Sequence, residues 1–124
     1  MTNKKKILFA DDNQGIRKAA SFIFPRENTE FYEDGISLDK KLKQSFSNPP
    51  DLVITDHEMP GINGGEIIKE YARREEFENT FFILAYGGAE EIGKRAREDG
   101  AAAYIRKPYG PVDLKNLIDK LVKS

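Results

Sequence analysis

Four charged side chains in this sequence stand where a ligand, rather than a core, would meet them. Asp56 closes the apolar run Leu52-Val53-Ile54-Thr55 and is followed at once by His57-Glu58-Met59-Pro60-Gly61. Asp11-Asp12 close a second run, Ile7-Leu8-Phe9-Ala10, and Lys107-Pro108 follow a third, Ala103-Tyr104-Ile105-Arg106. A carboxylate carried from a buried strand into a Pro/Gly-rich loop adds little to a fold and is free to react. If the three strands lie side by side in a parallel sheet, the three acids and the lysine converge beyond their carboxyl ends, where open α/β sheets bind ligands. Carboxylates brought together repel each other by up to ~4 kcal/mol per pair at 4 Å and a surface-like dielectric. A divalent cation offsets that repulsion, and hard oxygen ligands suit Mg²⁺. Read singly, Asp11-Asp12 could instead cap a helix beginning near Gln14, and Lys107 could be an ordinary solvated lysine. The joint placement is what favours chemistry.

Those side chains need elements to hold them. Apolar runs at residues 7–10, around Phe31-Tyr32, and at 52–55, 81–85 and 101–105 alternate with segments of helical period. Ile16, Ala19, Ala20 and Ile23 form one stripe. Leu38, Leu42 and Phe46 form a second, ended by Asn48-Pro49-Pro50. Ile67, Ile68, Tyr71 and Ala72 mark a third helix, and Ala89, Ile92 and Ala96 a sparser fourth that Gly100 closes as a left-handed cap. Pro111 opens the last helix, whose Leu114, Leu117, Ile118 and Leu121 make the cleanest stripe. Strands that read as continuous apolar runs belong to a sheet covered on both faces, and right-handed crossovers put helices on either side. The pattern is α/β, with five β-α repeats.

At 124 residues the chain is expected to form one domain, 1–124. Twenty basic residues against twenty-one acidic ones give a net charge of −1, which argues against a nucleic-acid module. Lys4-Lys5-Lys6 is the one pure basic run and reads as a solvated edge. Cysteine is absent, which removes disulfides and thiolate chemistry and is compatible with a reducing cytoplasm. No apolar stretch approaches the ~20 residues of a membrane span.

The constellation closely resembles the receiver domain of bacterial two-component response regulators, and Asp56-x-x-Met59-Pro60-x-x-x-Gly64 matches that family's pattern around its phosphorylated aspartate. The resemblance covers essentially the whole chain. It implies a doubly wound (βα)5 parallel sheet in the flavodoxin-like order 2-1-3-4-5, and a phosphoacceptor, Asp56, modified by a sensor histidine kinase or a phosphotransfer protein. It also implies Mg²⁺ bound directly by Asp12, Asp56 and the backbone carbonyl of Glu58, with Asp11 acting through a water. Lys107 becomes the cation that pairs first with the aspartate and then with the phosphoryl group, aimed inward by a cis bond to Pro108. The protein would catalyse only its own phosphorylation and dephosphorylation, in the cytoplasm. Its output partner is expected on the face of the fourth helix, fifth strand and fifth helix, where Glu90, Glu91, Lys94, Arg95, Arg97 and Glu98 stand.

The sequence also departs from that pattern. Receivers carry a Ser or Thr 22 residues before the lysine, and here that position is Ala85. Tyr86 follows where a small residue is usual, so its ring is expected to shield the acyl phosphate or its phenol to supply the missing donor. Tyr104 matches the aromatic switch residue, which leaves that pair half missing. Gly65 replaces an apolar residue early in the third helix, and His57 reads as an exposed loop residue. Two other classes compete with the phosphoacceptor. One is a degenerate receiver binding partners independently of phosphorylation, which Ala85 favours. The other is a haloacid-dehalogenase-like phosphatase, whose motif needs an aspartate where this chain has Glu58. No DNA-binding or catalytic output domain accompanies these residues, so the chain is expected to be a stand-alone receiver or one cut from a longer protein.

Overall fold

A computed structural model describes residues 5–123; Lys4 of the basic run, with the rest of residues 1–4 and Ser124, lies outside the described residues. Five strands, β1 (Ile7–Ala10), β2 (Thr29–Tyr32), β3 (Leu52–Asp56), β4 (Phe81–Tyr86) and β5 (Ala103–Arg106), alternate with five α-helices among the described residues. The helices are α1 (Gln14–Ala20), α2 (Gly35–Lys43), α3 (Gly64–Tyr71), α4 (Glu90–Glu98) and α5 (Pro111–Lys123). The sheet has the order β2-β1-β3-β4-β5 and every adjacent pair is parallel. This is the doubly wound (βα)5, flavodoxin-like arrangement the sequence led us to expect.

Strand periodicity divides the core in two. Leu8, Ala10, Val53, Phe82, Leu84 and Tyr86 face a cluster completed by α2, α3 and α4. Ile7, Phe9, Leu52, Ile54 and Ile83 face a second, completed by Leu114 of α5 and Ala20 of α1. All residues of β1 and β3 are buried, which is why their sequences run apolar without alternation.

Among the boundaries that differ from the sequence reading, three have a clear local reason. α1 ends at Ala20, because the amides of Phe22 and Ile23 bond back three residues to Ala19 and Ala20, a tightened turn ahead of Pro25. Ile23 still packs on the core, outside the helix. α2 ends at Lys43 rather than at Asn48: Ser45 donates its hydroxyl to the Lys41 carbonyl at 2.6 Å and the chain turns there. Phe46 is therefore not helical, though it packs edge-on to Phe77. β5 starts at Ala103, since Ala101 is engaged in closing α4; its amide reaches back to the Ala96 carbonyl at 2.9 Å. Gly100 sits at φ +115° in that closure, the left-handed cap expected of it.

Candidate functional site: an acidic pocket bridged by one lysine

The four charged groups do meet. Lys107 Nζ lies 2.9 Å from Asp11 Oδ2 and 3.0 Å from Asp56 Oδ1, and carboxylate oxygens of Asp11, Asp12 and Asp56 all lie within 4.8 Å of one another. Asp11 and Asp56 are 1% and 4% exposed, while Asp12 is open to solvent. Hydrogen bonds at the strand ends hold Lys107, Asp56 and Asp11 in place. Lys107 donates its amide to the Tyr86 carbonyl at 2.7 Å, and the amide after Asp56, on His57, donates to Ala85 at 2.8 Å. The Lys107–Pro108 bond is cis. Asp11 Oδ1 accepts from the Asn13 amide at 2.9 Å. Asn13 is the residue that caps α1, accepting from Ile16 at 3.1 Å. That frees the acid pair from the capping role open to it in the sequence. A pocket of about 520 Å³ covers the cluster, lined by Asp12, Asn13, Asp56, Glu58, Gly87, Gly88 and Lys107.

Burial and the neighbouring Asp11 charge push the Asp56 carboxyl up to about 6, against the opposing pull of Lys107. Burial alone would lower Lys107; its hydrogen bonds to Asp11 and Asp56 outweigh that and hold it above the ordinary lysine value. One lysine therefore compensates two buried acids incompletely, and the remaining negative charge, set among hard oxygen donors, is what a small divalent cation neutralises. The residues fit Mg²⁺.

The response regulator receiver domain family matches residues 7–119. Sporulation initiation phosphotransferase F of Bacillus subtilis (strain 168) is 29% identical over 116 residues, covering 94% of this chain and 92% of its own. Chemotaxis protein CheY-3 of Vibrio cholerae is 29% identical over 126 residues, covering 98% and 94%. Among solved structures, the BeF3-activated DrrB receiver domain superposes with a TM-score of 0.83 at 22% identity, over 98% of this chain and 100% of that one. The chain belongs to the response regulator receiver domain family. Receivers are signalling modules that bind Mg²⁺ in an acidic pocket and interact with histidine kinases or phosphotransfer proteins and with downstream effectors.

Against that pattern, the departures of this receiver take definite places. Ala85 is the cross-strand partner of Asp56 and is buried, so no hydroxyl stands beside the acid from that position. Tyr86 corrects an expectation: its ring neither lines the pocket nor offers it a phenol. It is 2% exposed in the cluster under α4, because its side chain leaves the sheet on the face opposite to Ile83 and Ala85. Gly87 and Gly88 line the rim instead. Tyr104 is half-buried, edge-on to Tyr86 with centroids 5.8 Å apart. His57 is likewise less exposed than expected. It is half-buried and its Nδ1 accepts from the Gly65 amide at 3.3 Å. A Cβ at position 65 would come 3.1 Å from its ring, so Gly65 makes room for the histidine. Glu90, Glu91, Lys94, Arg95, Arg97 and Glu98 are exposed, as expected.

Tyr109 escaped the sequence reading. Its hydroxyl is buried without a partner among the described residues, and burial followed by the charges of Asp11 and Asp56 pushes it up to about 12. It borders an apolar cavity of about 460 Å³ between α1 and α5, behind Lys107. Its place two residues after Lys107 was the only sequence signal available.

Proposed function

We propose that this receiver, spanning 1–124, accepts a phosphoryl group on Asp56. The observation that carries the reading is the bridge of Lys107 between Asp56 and Asp11, with Asp12 within reach of the same cation. Asp12, Asp56 and the backbone carbonyl of Glu58 would hold Mg²⁺, with Asp11 acting through water. Bound there, the metal supplies positive charge to the phosphoryl oxygens.

The chain's own residues do the rest. An Asp56 carboxylate oxygen forms the new P–O bond as the P–N bond to a donor phosphohistidine breaks. Such a loose transition state needs fixed positive charge more than covalent help. Lys107, already 3.0 Å from Asp56, turns its N–H groups from the carboxylate to the transferred oxygens. Asp11 keeps the lysine from swinging into solvent. Ionised above about pH 6, Asp56 is competent as a nucleophile at neutral pH. Glu58, exposed on the pocket wall, deters or orients whatever enters, including the water that ends the acyl phosphate's life.

The donor is a sensor histidine kinase or phosphotransfer protein in the cytoplasm, and the output face is that of α4, β5 and α5. No helix among the described residues is long and apolar enough to cross a membrane. A second reading, a receiver that binds its partner independently of phosphorylation, is favoured by one feature, the absence of a hydroxyl at Ala85. Acetyl phosphate with Mg²⁺ distinguishes them: intact-mass analysis should show one added phosphoryl group, labile to hydroxylamine and lost with EDTA or Asp56→Asn. Labelling that survives Asp56→Asn refutes the assignment, and no labelling of the parent chain supports the binding-module reading.

A further inference from the structure

α4 rests on the sheet through a glycine. A Cβ built on Gly93 would lie 2.4 Å from Tyr104 Cδ1, 2.7 Å from its Cγ and 2.8 Å from Tyr86 Cε1. Separations under 3.0 Å are ones that real Cβ atoms do not adopt, so the helix backbone itself sits on the two rings. The rings meet edge-on, at 62° with centroids 5.8 Å apart. Tyr86 is fully enclosed, and Tyr104 lies half-buried at the edge of the cluster. For Tyr104 to turn inward, toward β4, it would enter the volume Tyr86 fills. For it to turn outward, it would leave a void beneath Gly93. Packed interiors disfavour both.

The connection from the acidic pocket to α4 has the opposite character. Gly87 and Gly88 line the pocket rim. Gly88 is at φ +93°, and nothing lies within 4 Å of where a Gly87 Cβ would stand. Ala89, which precedes α4, makes no side-chain cap. The rim has slack, whereas the seat of the helix has none. A displacement at the rim is therefore absorbed by the two glycines before it reaches α4.

From these two features we infer that Tyr86, seated with Tyr104 against Gly93, locks α4 in one position on the sheet. The exposed charged face of α4 then keeps the same shape whether or not Asp56 is phosphorylated. The lock concerns the free protein and stands by itself; its insensitivity to phosphorylation rests on the reading of Asp56 proposed above. Partners that recognise Lys94 and Arg95 would bind both forms alike.

The test measures the χ1 rotamers of Tyr104 by three-bond couplings in the isotopically labelled chain. Samples are taken free and with Mg²⁺ and acetyl phosphate, and the intact mass of each is recorded. The expected result is one Tyr104 rotamer in the free parent and the same rotamer in samples whose mass carries the phosphoryl group. Tyr86→Ala should release the ring into averaged rotamers, and Tyr86→Leu, which keeps the core apolar, serves if the alanine variant fails to fold. Averaged rotamers in the parent, a rotamer change on phosphorylation, or a single rotamer retained in the folded Tyr86 variant each overturn the lock. A parent sample that gains no phosphoryl mass counts against the Asp56 reading alone, since the comparison of free proteins still decides whether the lock exists.

Discussion

Replacing Asp56 by asparagine in the metal-free protein is expected to stabilise the fold, and increasingly so as the pH rises. Asp56 is 4% exposed, and burial and Asp11 push its carboxyl to about 6, against roughly 4 for an aspartate in an unfolded chain. The folded state thus binds more protons between about pH 4 and pH 6, and stability falls as pH rises through that window. Once Asp56 is ionised in both states, the difference amounts to ~3 kcal/mol, at 1.36 kcal/mol per tenfold change in proton affinity. Asparagine removes that penalty, which is already net of the attraction to Lys107, and Lys107 keeps Asp11 at 2.9 Å. The net gain should be about 1–3 kcal/mol above pH 7 and should vanish near pH 4. Urea unfolding in EDTA across that range measures it as a change in midpoint at constant slope. Saturating Mg²⁺ should reverse the order, because the parent, with one more carboxylate ligand, gains more binding energy from it. A gain independent of pH, or a loss at pH 7.5, would refute the view that Asp56 is held ionised against its surroundings.

Lys107→Met leaves two buried acids without their cation and should cost ~3 kcal/mol at neutral pH in EDTA; the cost should shrink on acidification as Asp56 takes up a proton. Tyr109→Phe deletes a buried hydroxyl that has no partner among the described residues, so thermal unfolding should show it neutral or stabilising by up to ~1 kcal/mol; a clear loss would reveal a hydrogen bond to the acid pair. Asn63→Ala breaks a reciprocal capping box with Glu66 at the start of α3 and should cost ~1 kcal/mol, seen as a lower urea midpoint.

The parallel sheet was legible in the chain because β1 and β3 are buried on both faces and must therefore read as unbroken apolar runs. The acids and the lysine were legible for a related reason. An apolar run makes the charge at its end conspicuous, as with Asp11 after β1 and Asp56 at the close of β3, and topology then brings the strand ends together. Helix ends were less legible, since α1 and α2 stop where backbone amides and the Ser45 hydroxyl choose nearer carbonyls, a competition that the apolar stripe does not record. The direction of Tyr86 was legible only through the alternation of β4, once the strand's extent is known. Its neighbours in sequence place it beside Asp56, yet strand alternation and the space left by Gly93, seven residues further along, send its ring to the other face. The incomplete compensation of Asp56 is likewise a property of three dimensions. Which carboxylate a single lysine neutralises, and how much charge remains, depends on distances and burial that exist only once the strands are paired.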